Sequence, residues 1–157
     1  MSERLPLGYL SVSQIRTYLR CPAQYEFRYV QGIKSPVTSS FLLGSSFHAA
    51  IEAANRAKLE NGEILSTEDV LDAYSQAWER RSTEEEIEWE EGEDQGKTKD
   101  RGAEMTAAYY EEYGKNLKPA LVETHIIGEI EGVPFQGYID LAEVDGSIRF
   151  YLNVVGY

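Results

Sequence analysis

His48 is the first residue in this sequence whose type and setting could do chemistry. It lies in LGSSFHAAIE (43–52), a pattern that predicts a helix. Gly44 lies one turn before His48, and because helical side chains lean toward the preceding turn, the small residue would leave an open pocket beside the ring. Glu52 lies one turn after His48 and could orient the imidazole. The alternative is a histidine on a helix face with no chemical role.

Two carboxylates lie in strand-like sequence further along the chain. Asp140 interrupts the apolar stretch FQGYIDLAEV (135–144), where a buried carboxylate needs a cation, a metal ion or several hydrogen-bond donors. Gly137, just before it, permits close approach of a ligand or another backbone. Glu123 lies in ALVETHI (120–126) and could support the same site. The alternatives are an aspartate in a turn and a glutamate on the surface of an edge strand.

Charge is distributed unevenly along the 157 residues. The net charge of −12 argues against a general nucleic-acid coat protein. Residues 1–34 nevertheless carry five basic residues against two acidic ones, a local charge of +3 that leaves −15 for the remainder. Chance would explain this asymmetry, and so would a phosphate backbone bound by the N-terminal helices alone. The predicted DNA-binding residues are Arg16, Arg20, Tyr25 and Arg28.

The N-terminal segment predicts two short helices separated by a proline. Ser11 or Ser13 is suited to cap the first helix, and Pro22 should break it. Pro22 can then begin a second, aromatic helix that ends at Gly32. The apolar side chains of the first helix fall on one face: Ile15, Tyr18 and Leu19.

Three longer helices are predicted before any strand. The first runs from about residue 40 to 61 and is stopped by Gly62, and the second is capped by Ser66 or Thr67. An acidic segment at about 84–97 follows, which we expect to be flexible within one domain spanning 1–157. The third helix is ended by Pro119.

The sequence then switches to a period of two residues, which predicts strands at about 120–130, 133–143 and 147–155. Glu131-Gly132 and Asp145-Gly146 occupy the turn positions, and Asp-Gly is a strong hairpin signal. Helices followed by an antiparallel meander indicate an α+β fold, with the helices packed on a short, mainly antiparallel sheet. Its last strand would be an exposed edge through which the chain could self-associate.

Taken in order, these segments resemble the PD-(D/E)XK nuclease superfamily, in its RecB-like branch. That branch includes nuclease domains of bacterial recombination-repair helicase complexes and CRISPR adaptation nucleases. LSVSQIRTYLRCPAQYEFRYV looks like its opening Ser-x-Ser, Cys-Pro and aromatic helix. LGSSFHAAIE looks like its Gly-x-x-x-His motif, and LVETHI followed by GVPFQGYIDLAEVDGSI looks like its Glu strand and Gly-x-Ile-Asp hairpin. The resemblance implies a partial restriction-endonuclease-like α/β core.

The resemblance also implies a divalent metal site and a DNA substrate. His48 and Asp140 would bind Mg²⁺ or Mn²⁺, and both would be catalytic. A second carboxylate and a lysine from the next strand would complete the site. Carboxylates suit hard cations, and an imidazole biases the site toward Mn²⁺. Such a metal polarises the phosphodiester and lowers the pKa of its water.

The sequence departs from this pattern at its last strand. By hairpin register, Asn153 stands where the acid of the acid-x-Lys motif belongs, as a weak metal ligand, and Val155 stands where the lysine belongs. Losing a positioned proton-transfer group typically costs on the order of 10²–10⁴-fold in rate. Cys21 matches the first ligand of an iron–sulfur cluster found in many relatives, but it is the only cysteine, so we expect no cluster. The chain would therefore be a truncated nuclease or a degenerate module, and both interpretations remain open.

The leading hypothesis is a metal-dependent, exonuclease-type DNA nuclease domain of repair, recombination or CRISPR adaptation, weakened in this form. The alternative is a non-catalytic module that binds nucleic acid or protein, the latter through the acidic surface. We expect DNA as a partner, together with a helicase or another subunit of a nuclease complex. The sequence has no run of 18 apolar residues and no secretion signal, so we expect a cytoplasmic protein without a membrane partner.

Overall fold

The chain folds into two units. The computed structural model describes residues 5–143 in full and the backbone of 144 and 148–151. The larger unit comprises Pro36–Val122 and Ala142–Arg149, and the smaller unit comprises Met1–Ser35, Glu123–Leu141 and Phe150–Tyr157. Several positions used in the sequence analysis lie outside the described residues: Arg4, the Asp145-Gly146 turn, Asn153 and Val155.

Three helices form the larger unit, and each begins at a residue that can cap it. Helix α3 (Ser39–Asn61) begins where the Thr38 hydroxyl accepts a hydrogen bond from the backbone of Phe41. Helix α4 (Thr67–Glu84) has a capping box in which Ser66 and Asp69 bond to each other's backbone. Helix α5 (Gln95–Glu112) is capped by Asp94, whose side chain accepts a hydrogen bond from the backbone of Lys97. The predicted stop of α3 at Gly62 is confirmed, because that residue has φ 68°.

The core of the larger unit lies where these three helices meet. Its fully buried residues come from all three: Leu42, Ala50, Ala54, Val70, Tyr74, Trp78 and Tyr110. The two buried tyrosine hydroxyls donate to backbone carbonyls, that of Tyr74 to Lys99 and that of Tyr110 to Leu65. A Cβ at Gly102 would lie 2.0 Å from the Tyr74 hydroxyl, so glycine is needed for α5 to approach α4 this closely.

A short parallel pair of strands joins the segment before α3 to the segment after α4. Strand β1 (Val37–Thr38) pairs with strand β2 (Ile87–Glu88) through Val37 and Ile87. The sequence analysis did not predict this pair, because two-residue strands carry no periodicity. The acidic segment therefore contains a strand and the α5 cap, while its expected flexibility stays a prediction.

Helix α5 ends at Glu112 and not at Pro119, so the predicted end of this helix is wrong. A 3₁₀ turn (Gly114–Asn116) replaces its last turns. The Lys58 ammonium donates to the carbonyls of Gly114 and Leu117, which satisfies groups that a longer α-helix would have bonded internally. Burial lowers the pKa of Lys58, and the nearby Glu143 carboxylate partly opposes this shift.

The smaller unit contains the predicted pair of short helices. Helix α1 (Val12–Arg20) is capped by Ser11, and helix α2 (Pro22–Tyr25) begins at the proline that ends α1. A π turn (Glu26–Val30) continues α2, and Gly32 follows it with φ 69°. The segment before α1 pairs with the sheet, because the backbone of Leu10 bonds to Pro134 and Gln136 at 2.9 Å each.

Helix α1 buries its polar face. Gln14 and Thr17 are buried, and each forms a local hydrogen bond. The side-chain amide of Gln14 donates to the Tyr9 carbonyl, and the Thr17 hydroxyl donates to the Ser13 carbonyl. The apolar residues predicted to share one face are exposed instead: Ile15, Tyr18 and Leu19.

The sheet consists of strands β3 (Pro119–Ile130), β4 (Val133–Val144) and β5 (Ile148–Tyr151), in that order. Glu131 and Gly132 both have positive φ, 51° and 80°, which is the conformation of the predicted two-residue hairpin turn. Both β3 and β5 are edges among the described residues. Helices and strands together confirm the predicted α+β class.

Candidate metal centre

Helix α3 presents His48 and Glu52 one turn apart, and both side chains are half-buried. Gly44 lies one turn before His48, and a Cβ placed on it would meet no atom within 4 Å. The Ser46 hydroxyl donates to the Leu42 carbonyl at 2.8 Å and so points back at its own helix. The helix surface one turn before the histidine is therefore open, as the sequence predicted.

Glu123 has an unusual backbone for a strand residue. It directly follows Val122 in β3, and its φ of 43° lies in the left-handed region that residues other than glycine rarely adopt. Such a conformation costs roughly 1–3 kcal/mol and is often found at functional sites. A local break of this kind re-aims one side chain out of the alternating pattern of a strand. No feature of the sequence predicted it.

His48, Glu52 and Glu123 form a group that could hold a metal ion. Each offers one ligand atom, and the three atoms lie within 4.8 Å of one another. Opposite ligands of one Mg²⁺ lie about 4.2 Å apart, twice the usual metal–oxygen distance, and the spread of these three atoms is close to that value. An imidazole with two carboxylates suits Mg²⁺ or Mn²⁺ in charge and ligand type.

Glu52 has a second partner that the sequence analysis did not consider. The Nε atom of Arg56 donates to Glu52 Oε1 at 2.8 Å, across one helical turn. The signal was present, because Glu-x-x-x-Arg is the spacing of a helical ion pair. Glu52 was predicted to support the imidazole, and the structure places it both beside that ring and in an ion pair.

Asp140 is half-buried in β4, between the buried residues Ile139 and Leu141. It is not part of the three-residue group found among the described residues. Its predicted role as a metal ligand with His48 stays a prediction, as does that of Asn153.

The second histidine of the chain lies in an ordinary strand environment. His125 is exposed, its ring stacks on Tyr138 with centroids 4.7 Å apart, and its Nε2 atom lies 3.2 Å from Gln136 Oε1. It provides a comparison for His48 in the same protein.

The predicted DNA-binding residues lie on the two short helices and the π turn of the smaller unit. Tyr25 contacts Tyr18 edge to face at 5.5 Å and lies 5.2 Å from Tyr29, which makes a tyrosine cluster of these three rings. The Arg28 guanidinium lies 5.6 Å from the centre of the Tyr29 ring. Arg16 is exposed, and the exposed Arg20 donates to Gln24 at 2.9 Å.

The fold and the site define a class of protein. A family model for the PD-(D/E)XK nuclease superfamily matches residues 9–157, and the chain belongs to this superfamily. It is therefore a nuclease-type domain, from a superfamily whose members generally use divalent metals and bind nucleic acid. No curated protein and no solved structure matches it. No described helix is long and apolar enough to cross a membrane.

Proposed function

We propose that this chain is a divalent-metal-dependent DNA nuclease module of the RecB-like, exonuclease type. The observation that carries the proposal is the convergence of the ligand atoms of His48, Glu52 and Glu123 within 4.8 Å in a member of this superfamily. The strained backbone of Glu123 supports it, because strain of this kind is retained where a side chain must point in one direction.

Each group of residues has its own role in this proposal. His48 and Glu123 hold Mg²⁺ or Mn²⁺, with Glu52 at the same site and Asp140 as a further ligand. A divalent ion held by these residues would supply Lewis-acid chemistry, polarising the phosphodiester and lowering the pKa of a bound water. The arginines of the smaller unit bind the DNA backbone, since Arg16 and Arg20 are exposed there.

Chemistry by this chain should be slow. Asn153 can offer an oxygen to a metal but no charge, and Val155 cannot hold or release a proton. We propose a role in repair, recombination or CRISPR adaptation, in the cytoplasm and beside a helicase or another subunit of a nuclease complex.

Manganese titration by calorimetry tests the metal site. We expect wild type to bind Mn²⁺ and His48→Ala and Glu123→Gln to bind it at least tenfold more weakly, because each removes a ligand. Two matched controls should bind like wild type: His125→Ala removes the other histidine, and Glu129→Gln removes an exposed carboxylate from the same strand as Glu123. Equal affinities in all five proteins would refute the site.

Restoring the missing motif tests the chemistry. The double variant Asn153→Asp with Val155→Lys should cut labelled single- or double-stranded DNA on the order of 10²–10⁴-fold faster than wild type in the presence of Mn²⁺. His48→Ala in that background should remove the gain. A restored variant that cuts no faster would refute either the hairpin register or the nuclease assignment. Mn²⁺ binding in the titration above would then count against the register, and no Mn²⁺ binding would count against the nuclease assignment.

A second candidate function is single-stranded nucleic-acid binding without cleavage. The tyrosine cluster supports it, because Tyr18 is 53% exposed and stacking on aromatic rings is worth about 1–3 kcal/mol per base. Fluorescence anisotropy with a labelled single strand in EDTA would measure it. Affinity that falls steeply with salt, and falls further in Tyr18→Ala, would support this function. No binding at low salt would refute it.

A further inference from the structure

Arg56 stands beside the candidate metal centre without being one of its ligands. Its Nε atom donates to Glu52 Oε1 at 2.8 Å, and both side chains are partly solvent-exposed, 43% for Arg56 and 30% for Glu52. With this pair formed, Glu52 still offers an oxygen atom within 4.8 Å of the ligand atoms of His48 and Glu123. The ion pair and the ligand position of Glu52 therefore coexist in one conformation.

We propose that Arg56 is a positioning residue that holds Glu52 in its ligand position and thereby sets the metal affinity of the site. The inference rests on the proposed function, since it assumes the metal centre. A carboxylate has two oxygens, so one can accept from the arginine while the other faces an ion. The spacing of His48, Glu52 and Arg56 along α3 puts ligand, ligand and support on one helical face.

Two effects of Arg56 on a nearby cation oppose each other. Its positive charge repels the ion, whereas its hydrogen bond removes rotamer freedom that Glu52 would otherwise lose on binding. The repulsion is weakened because the guanidinium is 43% exposed and screened by water and salt. Solvent also weakens the ion pair, but this charge-assisted hydrogen bond acts at the contact distance of 2.8 Å and fixes the direction of the carboxylate. We therefore expect positioning to outweigh repulsion.

A double-mutant cycle with Mn²⁺ calorimetry on the full chain tests this inference. Arg56→Met removes the donor and the charge and keeps the apolar stem, and we expect it to weaken Mn²⁺ binding about tenfold or more, as loss of a supporting residue typically does. Arg56→Lys should recover part of that loss. In a Glu52→Gln background, Arg56→Met should change the affinity little, because Arg56 acts through the Glu52 carboxylate.

The helix pair Glu111 and Lys115 provides a matched control. It has the same spacing and order, with Nζ and Oε1 2.6 Å apart, away from any of the three ligands in sequence. Lys115→Met should leave Mn²⁺ affinity unchanged. The inference is overturned if Arg56→Met binds Mn²⁺ as tightly as wild type or more tightly. It is also overturned if Arg56→Met lowers Mn²⁺ affinity as much in the Glu52→Gln background as it does in wild type. Wild type that binds no Mn²⁺ would instead refute the proposed function, and the role of Arg56 with it.

Discussion

The left-handed backbone of Glu123 makes a prediction that can be measured without any nuclease activity. An alanine at φ 43° pays roughly 1–2 kcal/mol for the contact of its Cβ with the backbone, and a glycine does not. Glycine instead costs roughly 0.5–1 kcal/mol more chain entropy than alanine. Glu123→Gly should therefore be more stable than Glu123→Ala by about 0.5–1 kcal/mol. Both variants lose the same carboxylate, so the comparison cancels every contact that the native side chain makes beyond its Cβ atom.

The neighbouring position supplies the opposite expectation. Thr124 is not among the described residues with positive φ, so Thr124→Gly should be less stable than Thr124→Ala by about 0.5–1 kcal/mol. Urea unfolding monitored by tryptophan fluorescence would give the four values. A Glu123→Gly protein less stable than Glu123→Ala would refute the strained backbone. Neither Glu123 variant should recover Mn²⁺ affinity, which separates the stability of the strand from its role as a ligand.

Three further predictions concern the larger unit. Gly102→Ala should lower the free energy of unfolding by about 1–3 kcal/mol in urea titrations, because its Cβ would lie 2.0 Å from the Tyr74 hydroxyl; unchanged stability would contradict that contact. Burial raises the pKa of Tyr74 to about 12 from its ordinary value of 10.0. The buried neutral phenol therefore stabilises the fold fully below pH 10, and this contribution is lost as the pH rises through 12. Wild type should therefore lose about 2–3 kcal/mol more than Tyr74→Phe over that range, and parallel curves would argue against it. Lys58→Met should cost about 1–2 kcal/mol by denaturation, since two carbonyls lose a charged donor; no loss would mean that they do not need it.

Local signals in the sequence predicted most element boundaries, because they act through the nearest backbone groups. The Ser66 cap, the Gly62 stop and the Glu131-Gly132 turn each need only two or three residues to form. The end of α5 could not be read this way. The carbonyls after the helix accept hydrogen bonds from Lys58, which lies more than fifty positions earlier in the chain, and periodicity cannot show such a contact.

The sequence likewise predicted the local features of the candidate site and missed the others. The spacing of His48 and Glu52 placed them on one helical face, and periodicity alone was enough for that prediction. Glu123 was identified as a supporting carboxylate, but its left-handed backbone has no sequence signature, since glutamate has no preference for that conformation. The outward apolar face of α1 was also missed, because a periodic pattern shows that side chains share a face and not whether anything covers it.

Two exposed isoleucines in strand β3 have a practical consequence for work with this protein. Ile126 and Ile127 are neighbours in a strand and so point to opposite sides, and they are 42% and 70% exposed. Strand β3 is an edge among the described residues, and each of its two faces exposes an apolar side chain there. Concentrated samples should therefore associate by adding strand to strand, and Ile127→Lys, four residues after Glu123 in the same strand, should help to keep the chains apart during calorimetry.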